Sequence, residues 1–368
     1  MEAVGAAGIQ ARHVAAHPDE KEARGSPNRG VATAPPIVLG RASFPKSCGL
    51  ELSLPEARRA SVQAELVRLG TRFFIKHGTR PGAGIEVRRR RMKAYERWVP
   101  RPPAGVETVE SRLGGVPASR IIPPQAVRGR HILFLHGGAY ATGSATIYRH
   151  ITWRFATASA AQLAAINYRL APEHPFPAAL DDAMAAWHAL LDEGADPRHC
   201  AIMGDSAGGG LAVALALKLR DRGGPLPAAI VALSPWTDLA ITGESCRANA
   251  VFDPMLNSAD LVPLAAQYLG GADARNPYAS PLYGDPRGLP PTLFQVGSDE
   301  ILRDDSERMA ERMRAAGCHV TLEIWPRMPH VWHGFAPVLP EAHRATVRIG
   351  EFIRRQTEDT ARLIEAAK

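Results

Sequence analysis

The stretch Gly204-Asp205-Ser206-Ala207-Gly208-Gly209 decides how this chain is interpreted. It follows an apolar run at 201–203 and opens an Ala- and Leu-rich segment that ends near Gly223. A strand, a sharp turn and a helix in this order place Ser206 at the apex of the turn, with glycines two residues before and after it because side chains there would collide with the turn. The free N–H groups of the helix start favour negative charge beside Ser206. The stretch therefore predicts a nucleophilic serine.

A second glycine-rich stretch, His136-Gly137-Gly138-Ala139-Tyr140, comes directly after an apolar run at 131–135. A serine hydrolase must stabilise the negative oxygen of its tetrahedral intermediate with N–H donors. The N–H of Ala207, which follows the nucleophile, supplies one donor. Gly137 and Gly138 are expected to supply the others, because backbone N–H groups can approach the substrate where side chains are absent.

The acid and the base of such a site should follow Ser206 along the chain. The apolar run at 292–296 leads into the acidic stretch Gly297-Ser298-Asp299-Glu300. Asp299 is the first acid beyond this predicted strand, at the carboxyl edge of the sheet where such sites form, and is the preferred acid. Glu300 is expected to cap or begin the next helix. Asp238, which follows the preceding strand, remains the competing acid.

Two histidines compete for the role of base. His330 comes five residues after the apolar run at 320–325, and His333 comes eight residues after it. A base on a short loop after a strand reaches back over the sheet edge toward Ser206, whereas His333 lies near the turn that begins the final segment. His330 is therefore preferred, and His333 remains the alternative.

The rest of the chain alternates between short apolar runs and helix-length segments. This alternation predicts βαβ units and hence an α/β fold with a mostly parallel sheet. The interval at 243–285 interrupts it and is expected to form a lid or a pocket wall. The runs lie at 131–135, 163–168, 201–203, 229–233, 292–296 and 320–325, and the helical segments at 177–193, 207–222, 305–316 and 340–364.

The first hundred residues have a different composition from the rest. Residues 1–45 are rich in Ala, Gly, Pro and charge and poor in large apolar side chains, which predicts a flexible tail. Helix-like patterns follow at 54–76 and 86–98. We therefore expect N-terminal helices within 46–105 and a catalytic core over 106–368.

Composition excludes several classes of protein. The chain has 368 residues, of which 45% are hydrophobic and 22% charged, and its 4 cysteines show no C-x-x-C spacing. A disulfide scaffold and a cysteine zinc site are therefore not expected. No apolar run reaches the ~18 residues of a membrane span, and no secretory signal is recognised, so a cytoplasmic protein is expected. The net charge is +7, and the arginine run at 88–91 is interpreted as a solvated helix face, with no nucleic-acid partner.

Five stretches together resemble the hormone-sensitive-lipase-like branch of the α/β-hydrolase fold, which includes many bacterial carboxylesterases. They lie in family order between residues 107 and 355, and they are His136-Gly137-Gly138, Tyr168-Arg169-Leu170-Ala171-Pro172-Glu173, Gly204-Asp205-Ser206-Ala207-Gly208-Gly209, Gly297-Ser298-Asp299-Glu300-Ile301-Leu302-Arg303-Asp304 and Met328-Pro329-His330.

The resemblance implies a complete site and a cap. The nucleophile falls on Ser206, the acid on Asp299 and the base on His330, with a helical cap built from the N-terminal helices and the insertion at 243–285. The oxyanion donors fall on Gly137, Gly138 and Ala207. Many members have a third glycine where this chain has Ala139, and many read His-Gly-Phe at the base, which here occurs at His333-Gly334-Phe335. The Met-x-His framing and the separation of 31 residues from Asp299 favour His330.

The resemblance also implies a reaction. We expect hydrolysis of carboxylic esters with small to medium acyl chains through an acyl-enzyme, without a metal or an organic cofactor. A lactone hydrolase or a small-ester deacetylase would use the same residues, and a non-catalytic ligand receptor is a further alternative. The expected partner is a small ester or lactone, and a homodimer is left open.

Overall fold

The computed structural model describes residues 60–77 and 82–358 of the chain. The predicted tail at 1–45 and the end of the last predicted helix, beyond Glu358, lie outside these residues. The described strands are β1 (Glu107–Leu113), β2 (Val116–Ile122), β3 (His131–Leu135), β4 (Gln162–Ile166), β5 (Cys200–Asp205), β6 (Ala229–Leu233), β7 (Thr292–Gly297) and β8 (Val320–Trp325).

These strands form one sheet with the order β1-β2-β4-β3-β5-β6-β7-β8. β2 is antiparallel to both of its neighbours, and all pairs from β4 to β8 are parallel, which confirms the predicted mostly parallel sheet. Leu135 pairs with Gly204, and Asp205 pairs with Leu233. The register therefore brings the carboxyl ends of β3, β5 and β6 to one edge, which is where ligands bind in open α/β sheets.

Helices cover both faces of the sheet. Buried side chains of α4, α5 and α8 pack on one face, and those of α3 and α9 pack on the other. Strands β3 to β7 are therefore buried on both sides, which explains their nearly continuous apolar sequences. The described helices are α1 (Val62–Thr71), α2 (Ile85–Glu96), α3 (Ala145–Ser159), α4 (Ala178–Asp192), α5 (Ala207–Asp221), α6 (Ser245–Ala248), α7 (Ser258–Leu269), α8 (Arg303–Ala315) and α9 (Pro340–Thr357).

The β1–β2 hairpin and α3 were not predicted from the sequence. β1 lies at the edge of the sheet and exposes most of its side chains, so it lacks the apolar run by which the other strands were recognised. Gly114 and Gly115 form its turn with positive φ angles of 56° and 82°, the backbone twist that suits a two-residue hairpin.

Helix α1 buries the charged side chain of Arg68 and exposes its larger apolar side chains. Ser61 caps it by accepting a hydrogen bond from the N–H of Ala64. Arg68 is buried, whereas Leu66 and Leu69 are exposed. A π-helical turn, Arg72–Lys76, continues the helix in the same orientation, with the Lys76 side chain buried. Polar contacts, rather than apolar packing, therefore fix the orientation of this segment.

The insertion predicted at 243–285 contains α6, α7 and a short 3-10 turn, Pro281–Tyr283, between β6 and β7. Among the described helices, none combines the length and the hydrophobicity needed to cross a membrane.

Candidate active site

Ser206 lies between β5 and α5 with φ 53° and ψ −123°, a strained backbone conformation for a residue with a side chain. Its N–H donates to the carbonyl of Leu233, which fixes the turn against β6. A Cβ at Gly204 would lie 2.2 Å from the carbonyl oxygen of Gly208, and a Cβ at Gly208 would lie 2.0 Å from that of Leu135. The close approach that the sequence predicted at these two glycines is therefore present, and Ser206 is only half-buried at the sheet edge.

Gly208→Ala is expected to lower kcat/KM for an activated ester by about a hundredfold, the scale of a misplacement of about 1 Å in an active site. The added methyl group would collide with the carbonyl oxygens of Leu135 and His136 and push α5 away from β3. Such overpacking costs about 1–3 kcal/mol, so the melting temperature should fall as well. Gly70→Ala is the matched control because a Cβ there meets nothing within 4 Å. Unchanged activity of the Gly208 variant would contradict this interpretation of the turn.

The imidazole of His330 contacts a carboxylate, but not the predicted one. His330 Nδ1 lies 2.7 Å from Glu300 Oε2. The other oxygen of Glu300 accepts hydrogen bonds from Ser234 Oγ at 2.7 Å and from the N–H of Gly297 at 2.6 Å. Glu300 is fully buried and is thus held at both oxygens.

The prediction of Asp299 as the acid beside the base is therefore corrected to Glu300. Asp299 Oδ2 pairs with Arg68 Nη2 at 2.8 Å, and its Oδ1 accepts from Ser298 Oγ at 2.7 Å. The chain turns after Gly297 so that Asp299 points toward α1 and Glu300 points into the core. Glu300 does not begin the next helix, since α8 starts only at Arg303.

Asp238, the competing acid, holds its own loop. It accepts hydrogen bonds from the N–H groups of Ala240 and Thr242, from the hydroxyl of Tyr283, and from Arg308. These contacts satisfy its carboxylate, and neither His330 nor His333 is among its hydrogen-bond partners, so its environment is that of a structural residue.

The two candidate histidines have opposite electrostatic environments. Burial alone would lower the pKa of His330, but the hydrogen bond and the charge of Glu300, together with the charges of Asp253 and Asp205, raise it above its ordinary value. Burial and the neighbouring His330 lower the pKa of His333 to about 3, and its Nε2 faces Gln295 Oε1 at 2.7 Å. The geometry favours His330 as the base.

One predicted oxyanion donor is already engaged. The N–H of Gly137 donates to Asp205 Oδ1 at 2.9 Å, so this donor is not available, contrary to the prediction. Within the part of the chain that the structure describes, the N–H groups of Gly138, Ala139 and Ala207 make no hydrogen bond. The sequence did not predict Ala139 as a donor, but its N–H is free within the described residues, and its φ is positive at 52°.

Asp205 fastens the oxyanion loop to the turn that carries Ser206. Besides the bond to Gly137, its Oδ2 accepts from the hydroxyl of Tyr148 at 2.7 Å. Burial raises the pKa of Asp205 to about 6. His136 stacks on Tyr168 with ring centroids 4.3 Å apart, and burial lowers its pKa to about 4, so it is neutral at pH 7 and serves to orient the loop.

Ser234 was missed by the sequence analysis. It is fully buried at the end of β6, with a positive φ of 44°. Its hydroxyl donates to Glu300 Oε1 and accepts from the N–H of Val331, at 3.2 Å. The residue before it, Leu233, accepts the N–H of Ser206. The hydroxyl of Ser234 thus connects Glu300 to the loop that carries His330. It does so next to β6, whose last residue accepts the N–H of Ser206.

Comparisons with known proteins assign the chain to a family. A family model described as an alpha/beta hydrolase fold matches residues 132–334. An acetyl-hydrolase of Streptomyces hygroscopicus is 47% identical over 256 residues, which cover 70% of this chain and 84% of the relative. An esterase of Acinetobacter venetianus is 38% identical over 242 residues, which cover 66% of this chain and 80% of the relative.

Solved structures that are similar to this chain are also esterases. The crystal structure of an esterase from the bacterial hormone-sensitive lipase family has a TM-score of 0.77 and 43% identity, covering 82% of this chain and all of the other. A crystal structure of EstE5 that was soaked with p-nitrophenyl butyrate has a TM-score of 0.77 and 41% identity, covering 81% of this chain and 99% of the other.

Proposed function

Because this chain belongs to the hormone-sensitive-lipase-like branch of the α/β-hydrolase fold, we propose that it hydrolyses carboxylic esters through an acyl-enzyme on Ser206. The observation that carries the proposal is the hydrogen bond between His330 Nδ1 and Glu300 Oε2. Ser234, which follows the residue that accepts the N–H of Ser206, donates to the other oxygen of Glu300 and accepts from the N–H of Val331. A non-catalytic receptor would have no need for a strained serine beside an oriented imidazole.

The proton path follows from the tautomer of His330. Its Nδ1–H donates to Glu300 Oε2, which leaves Nε2 free to accept the proton of Ser206 Oγ as this oxygen attacks the ester carbonyl. The protonated His330 then donates to the departing alcohol. The same nitrogen next takes a proton from water as the water attacks the acyl-enzyme. When the second tetrahedral intermediate collapses, His330 returns this proton to Ser206 Oγ, and the acid is released.

The N–H groups of Gly138, Ala139 and Ala207 hold the negative oxygen in both tetrahedral intermediates. They converge from the loop after β3 and from the start of α5, and they make no hydrogen bond within the described residues. Each donor of this kind contributes about 3 kcal/mol to lowering the barrier. The positive end of α5 adds to this stabilisation.

The name of a relative supports a short acyl chain. The Streptomyces hygroscopicus protein that is 47% identical to this chain is named an acetyl-hydrolase. A cavity of about 380 Å³ between α2 and the loop after β3 is lined by Met92, Ile147 and Leu170 together with Arg89, Arg90, Lys93 and Glu96. Its lining includes none of Ser206, Glu300 and His330, so we do not assign the acyl group to it. We propose small to medium acyl esters of a small-molecule alcohol, acted on in the cytoplasm.

Rates on p-nitrophenyl acetate, butyrate and palmitate test this proposal. We expect kcat/KM to be highest on acetate or butyrate and at least about tenfold lower on palmitate, because the acetyl-hydrolase relative points to a site for short acyl groups and a pocket shaped for a short chain excludes a long one. Ser206→Ala serves as the blank for spontaneous hydrolysis. A maximum at palmitate would overturn the preference for short chains, whereas no hydrolysis above the blank on any of the three would overturn ester hydrolysis itself.

A further inference from the structure

Residues on both sides of Glu300 make an ion pair or hydrogen bonds with helix α1 and with the insertion at 243–285. Arg68 of α1 pairs with Asp299, and Asn249 of the insertion donates to the carbonyls of Ser298 and Glu300 at 3.2 and 2.8 Å. The N–H of Ile301 donates to Asp253 Oδ2 at 2.9 Å. The segment that carries the acid is therefore held from the N-terminal helix and from the insertion.

Four residues next to the acid and the base close a ring of hydrogen bonds. Arg68 Nη1 donates to the carbonyl of Arg327 at 2.9 Å, and the N–H of Arg327 donates to Ser298 Oγ at 2.9 Å. Ser298 Oγ donates to Asp299 Oδ1 at 2.7 Å, and Asp299 Oδ2 pairs with Arg68 Nη2 at 2.8 Å. We call Arg68, Ser298, Asp299 and Arg327 the Arg68 ring.

The Arg68 ring connects the two loops that carry the acid and the base. Glu300 follows Asp299 directly, and His330 comes three residues after Arg327. Arg68 is only 8% exposed, so its guanidinium depends on these partners for the hydrogen bonds that it would otherwise make with water. Asp299 is the nearer of the two carboxylate partners of Arg68, at 2.8 Å against 3.7 Å for Glu65. Removing Asp299 therefore leaves a buried charge with weaker compensation, which is costlier than losing an exposed ion pair.

We propose that Arg68 and Asp299 are positioning residues, which hold Glu300 at hydrogen-bond distance from His330 through the contacts of the Arg68 ring. The inference rests on the proposed ester hydrolysis. In this inference Asp299 does not contact His330 and affects the reaction through the position of Glu300, the next residue.

The pH dependence of kcat/KM distinguishes a positioning role of Asp299 from a direct effect of its charge on His330. The charged groups that face His330 are Glu300, Asp253 and Asp205, with His333 beside it. Asp299 is not one of them, so a change at Asp299 alters the pKa of His330 by moving the segment that carries Glu300 and that binds Asp253 through the N–H of Ile301. Since Glu300 raises this pKa and the base must be neutral to act, a displaced Glu300 shifts the acid limb of the profile to lower pH.

The test compares Asp299→Asn, Arg68→Gln, Arg68→Lys and the double variant on p-nitrophenyl butyrate. We expect kcat to fall about tenfold in Asp299→Asn and Arg68→Gln, less than the hundredfold of a full 1 Å misplacement, with KM changed by less than about twofold. The acid limb should move to lower pH in both. The double variant should be no worse than either single variant, because the two residues act as one unit. Arg68→Lys should recover part of kcat.

Ser61→Ala is the matched control. It weakens α1 at its other end, where Ser61 caps the helix and donates to Glu341, without touching the Arg68 ring. The control should lower the melting temperature while leaving the acid limb in place. The same shift in Ser61→Ala, or an unchanged kcat and acid limb in Asp299→Asn, would overturn the positioning role. A wild type that neither hydrolyses esters nor accepts an organophosphate would instead overturn the proposed function, and the positioning role with it.

Discussion

Ser206→Ala is expected to lower kcat for p-nitrophenyl butyrate by about a million-fold, the loss measured when the serine of a comparable triad is removed. Without the hydroxyl there is no acyl-enzyme, and the oxyanion donors and substrate binding provide only the residual acceleration over water. Because Ser206 is half-buried and its methylene remains in alanine, the fold should be unaffected. The measurement is initial rates with the wild type and the variant at matched melting temperatures.

Mass spectrometry after treatment with an organophosphate gives a second readout of the same prediction. The wild type should gain one adduct, and Ser206→Ala should gain none. Ser61→Ala, which changes a serine far from the site, should keep the adduct. A variant that retains more than about a thousandth of the wild-type kcat, or that is still labelled, would mean that another residue is the nucleophile.

Glu300→Gln is expected to lower kcat about ten-thousand-fold, as the corresponding amide substitution does in a serine triad. The amide oxygen must stay with Gly297 N–H and Ser234 Oγ, so the amide NH₂ faces His330 Nδ1. His330 then adopts the tautomer with the proton on Nε2, which cannot accept the proton of Ser206.

Asp299→Asn is the matched comparison because it makes the same chemical change one residue earlier. It should cost about tenfold, since its effect passes through the position of Glu300 and leaves the tautomer of His330 intact. Steady-state rates of the two variants decide between the acids. A larger loss in Asp299→Asn than in Glu300→Gln would restore Asp299 as the acid of the triad.

Residues whose roles depend on local backbone geometry were predictable from the sequence. The collision that a side chain would cause at Gly204 or Gly208 is set by the turn itself, so the spacing of the glycines around Ser206 was sufficient to predict the tight turn. The family assignment, the parallel order of β3 to β8 and ester hydrolysis as the activity of the relatives are likewise confirmed.

The choice between Asp299 and Glu300 depended on contacts distant in sequence. Either acid could have turned inward after β7, and the direction is fixed by Arg68, which is more than two hundred residues away along the chain, and by Ser234 on a neighbouring strand. The hydrogen bond of the Gly137 N–H was not predicted for the same reason, because the carboxylate that accepts it comes from β5. Periodicity and spacing along the chain carry no information about such partners.

The inward-facing charges of α1 have a consequence for engineering. Chimaeras that graft a first helix without an arginine at the position of Arg68 would remove a buried guanidinium and leave Asp299 without its ion-pair partner. Crossover points in a shuffled library should therefore keep residues 61–76 and 298–330 from the same parent.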